Sequence, residues 1–430
     1  MNYTINFTNR EPALAVESIR DVILPGSDSE ADARCMIQRA LRAVRLHMGL
    51  QVAYVSEFVG AESVFRHVDA PGLEALIKAG DARSLDDVYC RHILAGRLPE
   101  LIPDTSKEPL AMAMPITGAV PIGAHVSVPL RLADGSLYGM FCCLGPAADP
   151  SLNLRDLSMM RAFAELAAFE IDRDLAETRA LRDKTERIHA ILASEELEIV
   201  YQPIWSIQEQ RPIGFESLSR FVSEPGRTAD LWFAEAEEVG KGVELELLAI
   251  RKALTALDTL PGDVYLAVNA SPATVLSPGL VEALAPYPAQ RIVLEITEHS
   301  FVGNFDALTA AIAPLRAGGI RIAVDDAGSG YSGLQQILQV RPDLIKLDRS
   351  LIQDIANDPG RRALAGALGV FARETGSRLI AEGVETETEL EMLRALGVDS
   401  IQGYLLGRPM PLRRALALLA GEPSASRRVA

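Results

Sequence analysis

A chain of 430 residues that is 48% hydrophobic is long enough for two or three domains with cores of their own, at about 150 residues per domain. Its net charge of −16 argues against broad electrostatic binding to nucleic acid or to an anionic membrane, but leaves room for a small anionic ligand at a locally positive site. The four cysteines, Cys35, Cys90, Cys142 and Cys143, are too few and too scattered for a disulfide framework and fit no zinc spacing, so a reducing compartment is the default.

Residues 1–25 read as a tail without the basic start and apolar core of a signal peptide. No apolar run approaches the roughly 18 residues of a membrane span, and the expectation is a cytoplasmic protein with no membrane partner. A helical stretch opens at Glu30. Strand-like runs follow at Val52–Val59, His125–Leu132 and Leu137–Leu144, the last two joined as a hairpin by the turn ADGS at Ala133–Ser136. A second helix begins near Leu154. Helices flanking an antiparallel sheet predict an α+β domain over residues 26–170. Cys142 and Cys143 alternate across their strand, so one of them is expected to face the core. Either of these, or Cys90, offers a thiol for redox sensing or ligand attachment, although buried structural thiols are commoner. His92 has no partner at metal-ligating spacing.

From Asp156 to about Leu192 the chain has no glycine or proline. Ile171, Leu175, Thr178, Leu181, Ile188 and Leu192 recur near every third or fourth position, which predicts a long amphipathic helix with a linker over 171–195. Such a helix either pairs with a second copy as a two-stranded coiled coil, the favoured reading, or packs on its own domain.

The remainder alternates differently. Strand-like runs LEIVYQPI, IGFESLS, VYLAVNA, RIVLEIT, IRIAVDD, LIKLD, RLIAEGV and SIQGYLL are mostly separated by helix-like stretches. That order predicts an α/β fold of the (β/α)8, TIM-like barrel type over residues 196–421, followed by a tail at 422–430. An open doubly wound sheet is the rival, but no glycine-rich dinucleotide fingerprint follows an early strand.

In such a barrel the active site lies at the C-terminal ends of the strands. These ends carry Glu216, Asn269, Glu295, Asp325 with Asp326, Lys346 with Asp348, Glu382 and Gln402. Buried unpaired carboxylates are expensive, so a ring of them calls for compensation, and oxygen-rich ligands favour Mg²⁺ or Mn²⁺. A pair of ions would offset the repulsion between Asp325 and Asp326 and serve displacement at phosphorus. Lys346 suits orientation of water or stabilisation of charge. It also stands two positions from Asp348, on the same strand face, where an ion pair is expected.

These motifs resemble the EAL-domain cyclic di-GMP phosphodiesterases. The likeness runs from YQPI at Tyr201 to GYLLGRPM ending at Met410 and includes FESLSR, VNAS, LEITE, DDAGSG, IKLD, AEGVE and QGY. It implies hydrolysis of cyclic di-GMP to linear pGpG, with two Mg²⁺ or Mn²⁺ ions per site. By the family pattern Glu216, Asn269, Glu295 and Asp325 hold the first ion, and Asp325, Asp326 and Glu382 the second. Lys346 contacts the attacking water, so Lys346, Glu382 and Glu216 form the implied catalytic set. Arg220 meets a substrate phosphate, Gln202, Asp348 and Gln402 line the substrate site, and Glu298 anchors the loop after Asp326. Two positions depart from the pattern: Ser217 replaces the alanine of the signature, and Ala327 the usual phenylalanine after the aspartate pair. The second change bears on regulation, because that loop couples metal binding to dimer contacts in the family. No GGDEF-like segment is present.

The first half resembles a GAF sensor domain through CRHILAGRLPELIPDTSKEPLA and PLRLADGSLYGMFCCLG. This implies an unidentified small ligand and a homodimer whose sensor regulates the barrel. The alternative is a catalytically weak EAL domain that acts as a cyclic di-GMP receptor.

Overall fold

The computed structural model describes residues 30–224, 226–296, 305–327 and 337–421, with backbone alone at 30–35, 326 and 327. The side chains of Cys35, Asp326 and Ala327, the whole of Glu298, and both tails lie outside the described residues. The chain divides into two compact units, the first ending at Ala180 and the second starting at Leu181.

The first unit is an antiparallel sheet in the order β3-β2-β1-β6-β5-β4. Its strands are β1 (Val52–Val59), β2 (Glu62–Asp69), β3 (Ala82–Ser84), β4 (Leu101–Ile102), β5 (Ala124–Arg131) and β6 (Leu137–Gly145). Helix α1 (Glu30–Met48) and the start of α2 (Leu154–Ala193) cover one face, where Ile37, Leu41 and Met160 pack on Val55, Val128 and Cys143. The other face lies under Tyr89, Cys90, Ala111 and Met114, which pack on Tyr54, Met140 and Cys142. The expectation that only one of Cys142 and Cys143 faces a core is therefore corrected. Both are fully buried because the sheet is covered on both sides. Strand β2 has no clear sequence signal, since ESVFRHVD offers few apolar residues and several charges.

Helix α2 runs for 40 residues, as its glycine- and proline-free sequence predicts. The apolar positions along it are largely used within each unit. Ile171 belongs to the core of the first unit, while Ile188 and Ile191 pack with Leu197, Phe221 and Trp232 in the second. In its middle Thr178 and Leu181 are exposed, and nearer its start so are Leu166 and Phe169.

The second unit is a closed eight-stranded barrel, β7 to β14 in chain order. Its strands are β7 (Leu197–Ser206), β8 (Arg211–Phe221), β9 (Tyr265–Ala270), β10 (Ile292–Ile296), β11 (Arg321–Ala327), β12 (Leu344–Leu347), β13 (Arg378–Ala381) and β14 (Ser400–Ile401). Each falls within or across one of the strand-like runs of the sequence. Strands β8 to β14 are parallel, but β7 runs antiparallel to both of its neighbours, β8 and β14. The reason is the connection Ile207–Gln210, with Gln210 at φ 53°. A link that short makes a hairpin, whereas a parallel crossover needs a dozen or more residues.

Both faces of the barrel wall are buried, so its strands read as continuous apolar runs. Leu266, Val268, Leu294, Ile322, Val324 and Ile345 point outward into the core beneath the helices. Ile204, Tyr265, Ala267, Val293, Ala323, Leu344 and Ile380 form the inner layer. Gly214 belongs to that layer by necessity: a Cβ there would stand 2.5 Å from the Tyr265 ring.

Candidate active site

One step further along each strand the inward positions change from apolar to polar. With the two-residue period of a strand, Ala267 gives way to Asn269, Val293 to Glu295, Ala323 to Asp325, Leu344 to Lys346 and Ile380 to Glu382. Gly214 gives way to Glu216. On the reversed β7 the count runs backwards, so Ile204 gives way to Gln202, which is paired in register with Glu216. Gln402 follows the last residue of β14.

Lys346 is the centre of this ring. It is 1% exposed, and its Nζ lies 2.6 Å from Glu382 Oε1, 2.9 Å from Glu295 Oε2, 3.2 Å from Asp325 Oδ2 and 3.6 Å from Glu216 Oε2. The expected pair with Asp348 does not form. Asp348 instead caps the short helix Arg349–Ile352, accepting from the Ser350 amide at 2.9 Å. The cause is that β12 ends at Leu347, so Asp348 leaves the strand alternation and turns to the following backbone.

Glu216 is held by amides. Gln402 Nε2 donates to its Oε2 at 2.6 Å and Asn269 Nδ2 to its Oε1 at 3.2 Å. Gln402 Nε2 also donates to Gln202 Oε1 at 3.1 Å, and Gln202 Nε2 reaches the Gly407 carbonyl at 3.4 Å. Next to Gln402, Gly403 packs on the Val384 backbone: a Cβ there would come within 2.1 Å of the Val384 carbonyl oxygen. Ser217, the departure in the signature, is accommodated by donating its hydroxyl to the Ala267 carbonyl at 2.8 Å. Arg220 shares a strand face with Glu216 but is exposed, and it donates to the Ser219 carbonyl rather than to the ring. A residue not anticipated from sequence, Glu246, accepts from the Ser271 amide at 2.8 Å and braces the turn after Asn269. Its only sequence signal is an acid within the otherwise apolar stretch LELLAI.

The electrostatics are unbalanced. Four carboxylates surround one ammonium, in a setting where charge is poorly solvated. Burial drives the Glu295 carboxyl well above the usual range, against the pull of Lys346. Glu382 is pushed up to about 8, again chiefly by burial. The neighbouring carboxylates, Asp325 foremost, hold Lys346 protonated well above its ordinary value. Glu295 Oε1 is buried without a hydrogen-bond partner. An all-oxygen donor set, excess negative charge and an unpartnered buried carboxylate oxygen fit a hard divalent cation. Among the described residues no three acidic, histidine or cysteine side chains already stand at coordinating spacing, and the ammonium occupies the point where the carboxylates converge.

A pH dependence follows. Between the unfolded carboxylate value and about 8, the folded metal-free protein binds protons at Glu382 that the unfolded chain has released. The unfolded state then holds fewer protons, so stability falls as pH rises through that window. The melting temperature of chelator-treated protein should drop between about pH 5 and about pH 8. Glu382→Gln should flatten the slope. Calorimetry across that range checks this, and a melting temperature that rises with pH would contradict it.

The profile of the GAF domain matches residues 32–171, and that of the EAL domain matches residues 184–409. The chain is 32% identical over 245 residues to the bifunctional diguanylate cyclase/cyclic di-GMP phosphodiesterase MucR of Pseudomonas aeruginosa, an overlap of 53% of this chain and 35% of MucR. It is 30% identical over 247 residues to the probable cyclic di-GMP phosphodiesterase PdeD of Escherichia coli, covering 55% of this chain and 46% of PdeD. The chain thus spans less than half the length of either relative. Among solved structures, the EAL enzyme Bd1971 in its cAMP and cyclic-di-GMP bound form aligns with a TM-score of 0.52 at 20% identity, over 86% of this chain and 92% of that one, a likeness of fold. Among the described residues no helix is long and apolar enough to cross a membrane. With residues 184–409 making up more than half of its length, and with the barrel and its acidic ring in place, the chain belongs to the EAL domain family.

Proposed function

We propose that this protein hydrolyses cyclic di-GMP to linear pGpG in the cytoplasm, as a homodimer whose N-terminal domain sets the rate. The observation that carries the reading is the Lys346-centred ring, which gathers Glu216, Glu295 and Asp325 from separate strands and Glu382 from the turn after β13 around one buried ammonium. Names borne by the relatives MucR and PdeD support the substrate. Two Mg²⁺ or Mn²⁺ ions, when bound by Glu216, Asn269, Glu295, Asp325, Asp326 and Glu382, would neutralise phosphate charge and lower the pKa of water.

The remaining roles belong to the protein. Lys346, freed from part of its ion pairing once the carboxylates have other partners, presents an ammonium to the attacking water. Arg220, exposed on the same strand face as Glu216, is available for a phosphate oxygen. Gln402 and Gln202 are buried and act through Glu216, which they orient, so they are positioning residues. Asp348 fixes the turn that follows Lys346. The exposed Leu166 and Phe169 on α2 give a second copy an apolar surface.

The test uses the purified chain with cyclic di-GMP. Linear pGpG should accumulate in Mg²⁺ or Mn²⁺, fail to appear in Ca²⁺, whose larger and looser shell holds the reacting oxygens poorly, and cease after metal removal. Tight binding without product would identify a receptor instead. Full turnover after chelation would eliminate the metal-dependent mechanism.

A further inference from the structure

We propose that the end of the barrel opposite the acidic ring binds a dianionic phosphate group, free or at the end of a small monoester, between Arg321 and Arg378. The two-residue count that leads from the inner apolar layer to the acids also runs the other way along the strands. Ala323 gives way to Arg321 on β11 and Ile380 to Arg378 on β13, each the first residue of its strand. Ala267 gives way to Tyr265, the first residue of β9. Arg378 is paired in register with Leu344, a member of the inner layer, which places it on the inward face. The Arg321 guanidinium lies over the Tyr265 ring, 4.4 Å from its centroid, and so inside the mouth of the barrel. The apolar inner layer separates this mouth from Lys346 and its carboxylates.

The two arginines lack counterions. Among the described residues neither guanidinium stands in an ion pair or donates a hydrogen bond. Burial lowers the pKa of half-buried Arg321, and the Arg378 charge lowers it further, so the two cations stand close enough to repel each other. Acids at this end are engaged elsewhere. Asp343 accepts from the Ile322 amide at 2.8 Å and pairs with Arg316 at 3.5 Å, and its pull on Arg321 is weaker than the push of Arg378. Asp399 accepts from the Leu379 amide at 2.9 Å. Glu209 and Asp263 pair with Arg211 at 2.8 Å and 2.9 Å. In a chain of net charge −16, two neighbouring cations are thus left over. A guanidinium presents a planar fork of donors that matches a pair of oxyanion oxygens. A dianion with tetrahedrally placed oxygens meets both forks and cancels both charges, whereas a carboxylate fills one fork and leaves a charge over. Tyr265, 6% exposed, fills the barrel beneath Arg321, so the anion stays at the mouth and whatever it is attached to lies in solvent. Nothing in this inference depends on what the barrel hydrolyses.

The experiment adds inorganic phosphate to the full chain after metal removal, so that no bound cation draws phosphate to the acidic ring, and follows binding by phosphorus NMR line broadening and thermal shift. Phosphate should bind at millimolar concentration and raise the melting temperature. Acetate should compete about tenfold more weakly, since it engages one fork rather than two. Arg378→Gln and Arg321→Met should each weaken phosphate binding by about tenfold, the loss of one charged hydrogen-bonding partner. Arg341→Gln, which removes an exposed arginine from the same end, should leave binding unchanged. Glycerol 3-phosphate separates the two forms of the ligand: binding equal to that of phosphate identifies a monoester and rejection identifies the free ion, both at this site. The inference is overturned if phosphate does not bind at millimolar concentration, if acetate competes equally, if Arg341→Gln weakens binding as much as Arg378→Gln, or if binding survives replacement of both Arg321 and Arg378. Arg378 is exposed, so its variant tests the site even where Arg321→Met is unstable. All readouts are binding by metal-free protein, so a failure of the proposed hydrolysis would leave them unaffected.

Discussion

Lys346→Met is expected to lower turnover of cyclic di-GMP by about 10²–10⁴-fold while substrate affinity stays within a few-fold, the signature of a group that acts in the reaction rather than in binding. Methionine matches the length of lysine and removes only the charge and the donors. The same substitution has a second effect in metal-free protein. Lys346 stands within ion-pair distance of Glu216, Glu295, Asp325 and Glu382 at once. Breaking a buried pair by removing one partner costs about 3–5 kcal/mol, because the other charge is left without compensation. The variant should therefore be markedly less stable after chelation and recover when Mg²⁺ or Mn²⁺ is added. Single-turnover kinetics and denaturant unfolding with and without metal separate the two effects. Near wild-type turnover would remove Lys346 from the reaction, and unchanged stability would mean that the ring is already protonated.

Glu216→Ala should fail differently. Glu216 accepts from both Gln402 and Asn269, and its loss strands two amide groups in a buried setting, at about 1–3 kcal/mol each. It also withdraws a proposed metal ligand. Losing several kcal/mol of charge stabilisation in the transition state corresponds to a fall of about 10³-fold in turnover. Unlike the lysine variant, this one should also bind Mn²⁺ and substrate more weakly. Calorimetric titration with Mn²⁺ is the deciding measurement. Wild-type metal affinity in Glu216→Ala would assign Glu216 to positioning alone.

The eight barrel strands are legible in sequence because both faces of the wall are buried, and runs such as RIVLEIT and IRIAVDD have no other reading once helices separate them. The ring is legible for a related reason: acids and amides at successive strand ends serve no packing purpose. Other features were not. The direction of β7 is set by a connection whose turn residue, Gln210, adopts a left-handed conformation without the usual glycine. The partner of Lys346 could not be read from spacing along one strand, because Asp348 lies past the strand end while the true partners come from β8, β10, β11 and the turn after β13. Nor could the burial of both cysteines. Alternation says that Cys142 and Cys143 face opposite ways, but only the segment around Tyr89 and Met114 shows that each way leads into a core.

The reversal of β7 also governs when the site comes into being. Strands β7 and β8 pair through a short hairpin, so they can meet early during synthesis, whereas β7 meets β14 only after nearly the whole second unit has been made. Gln202 and Gln402, 200 residues apart, hydrogen-bond directly, and Gln402 spans 186 residues to reach Glu216. Closing so long a loop is the slow, entropically costly step, and it is the same step that orients Glu216. A nascent chain that has not yet made β14 lacks the amide that fixes this carboxylate, so the site matures with the last strand rather than strand by strand.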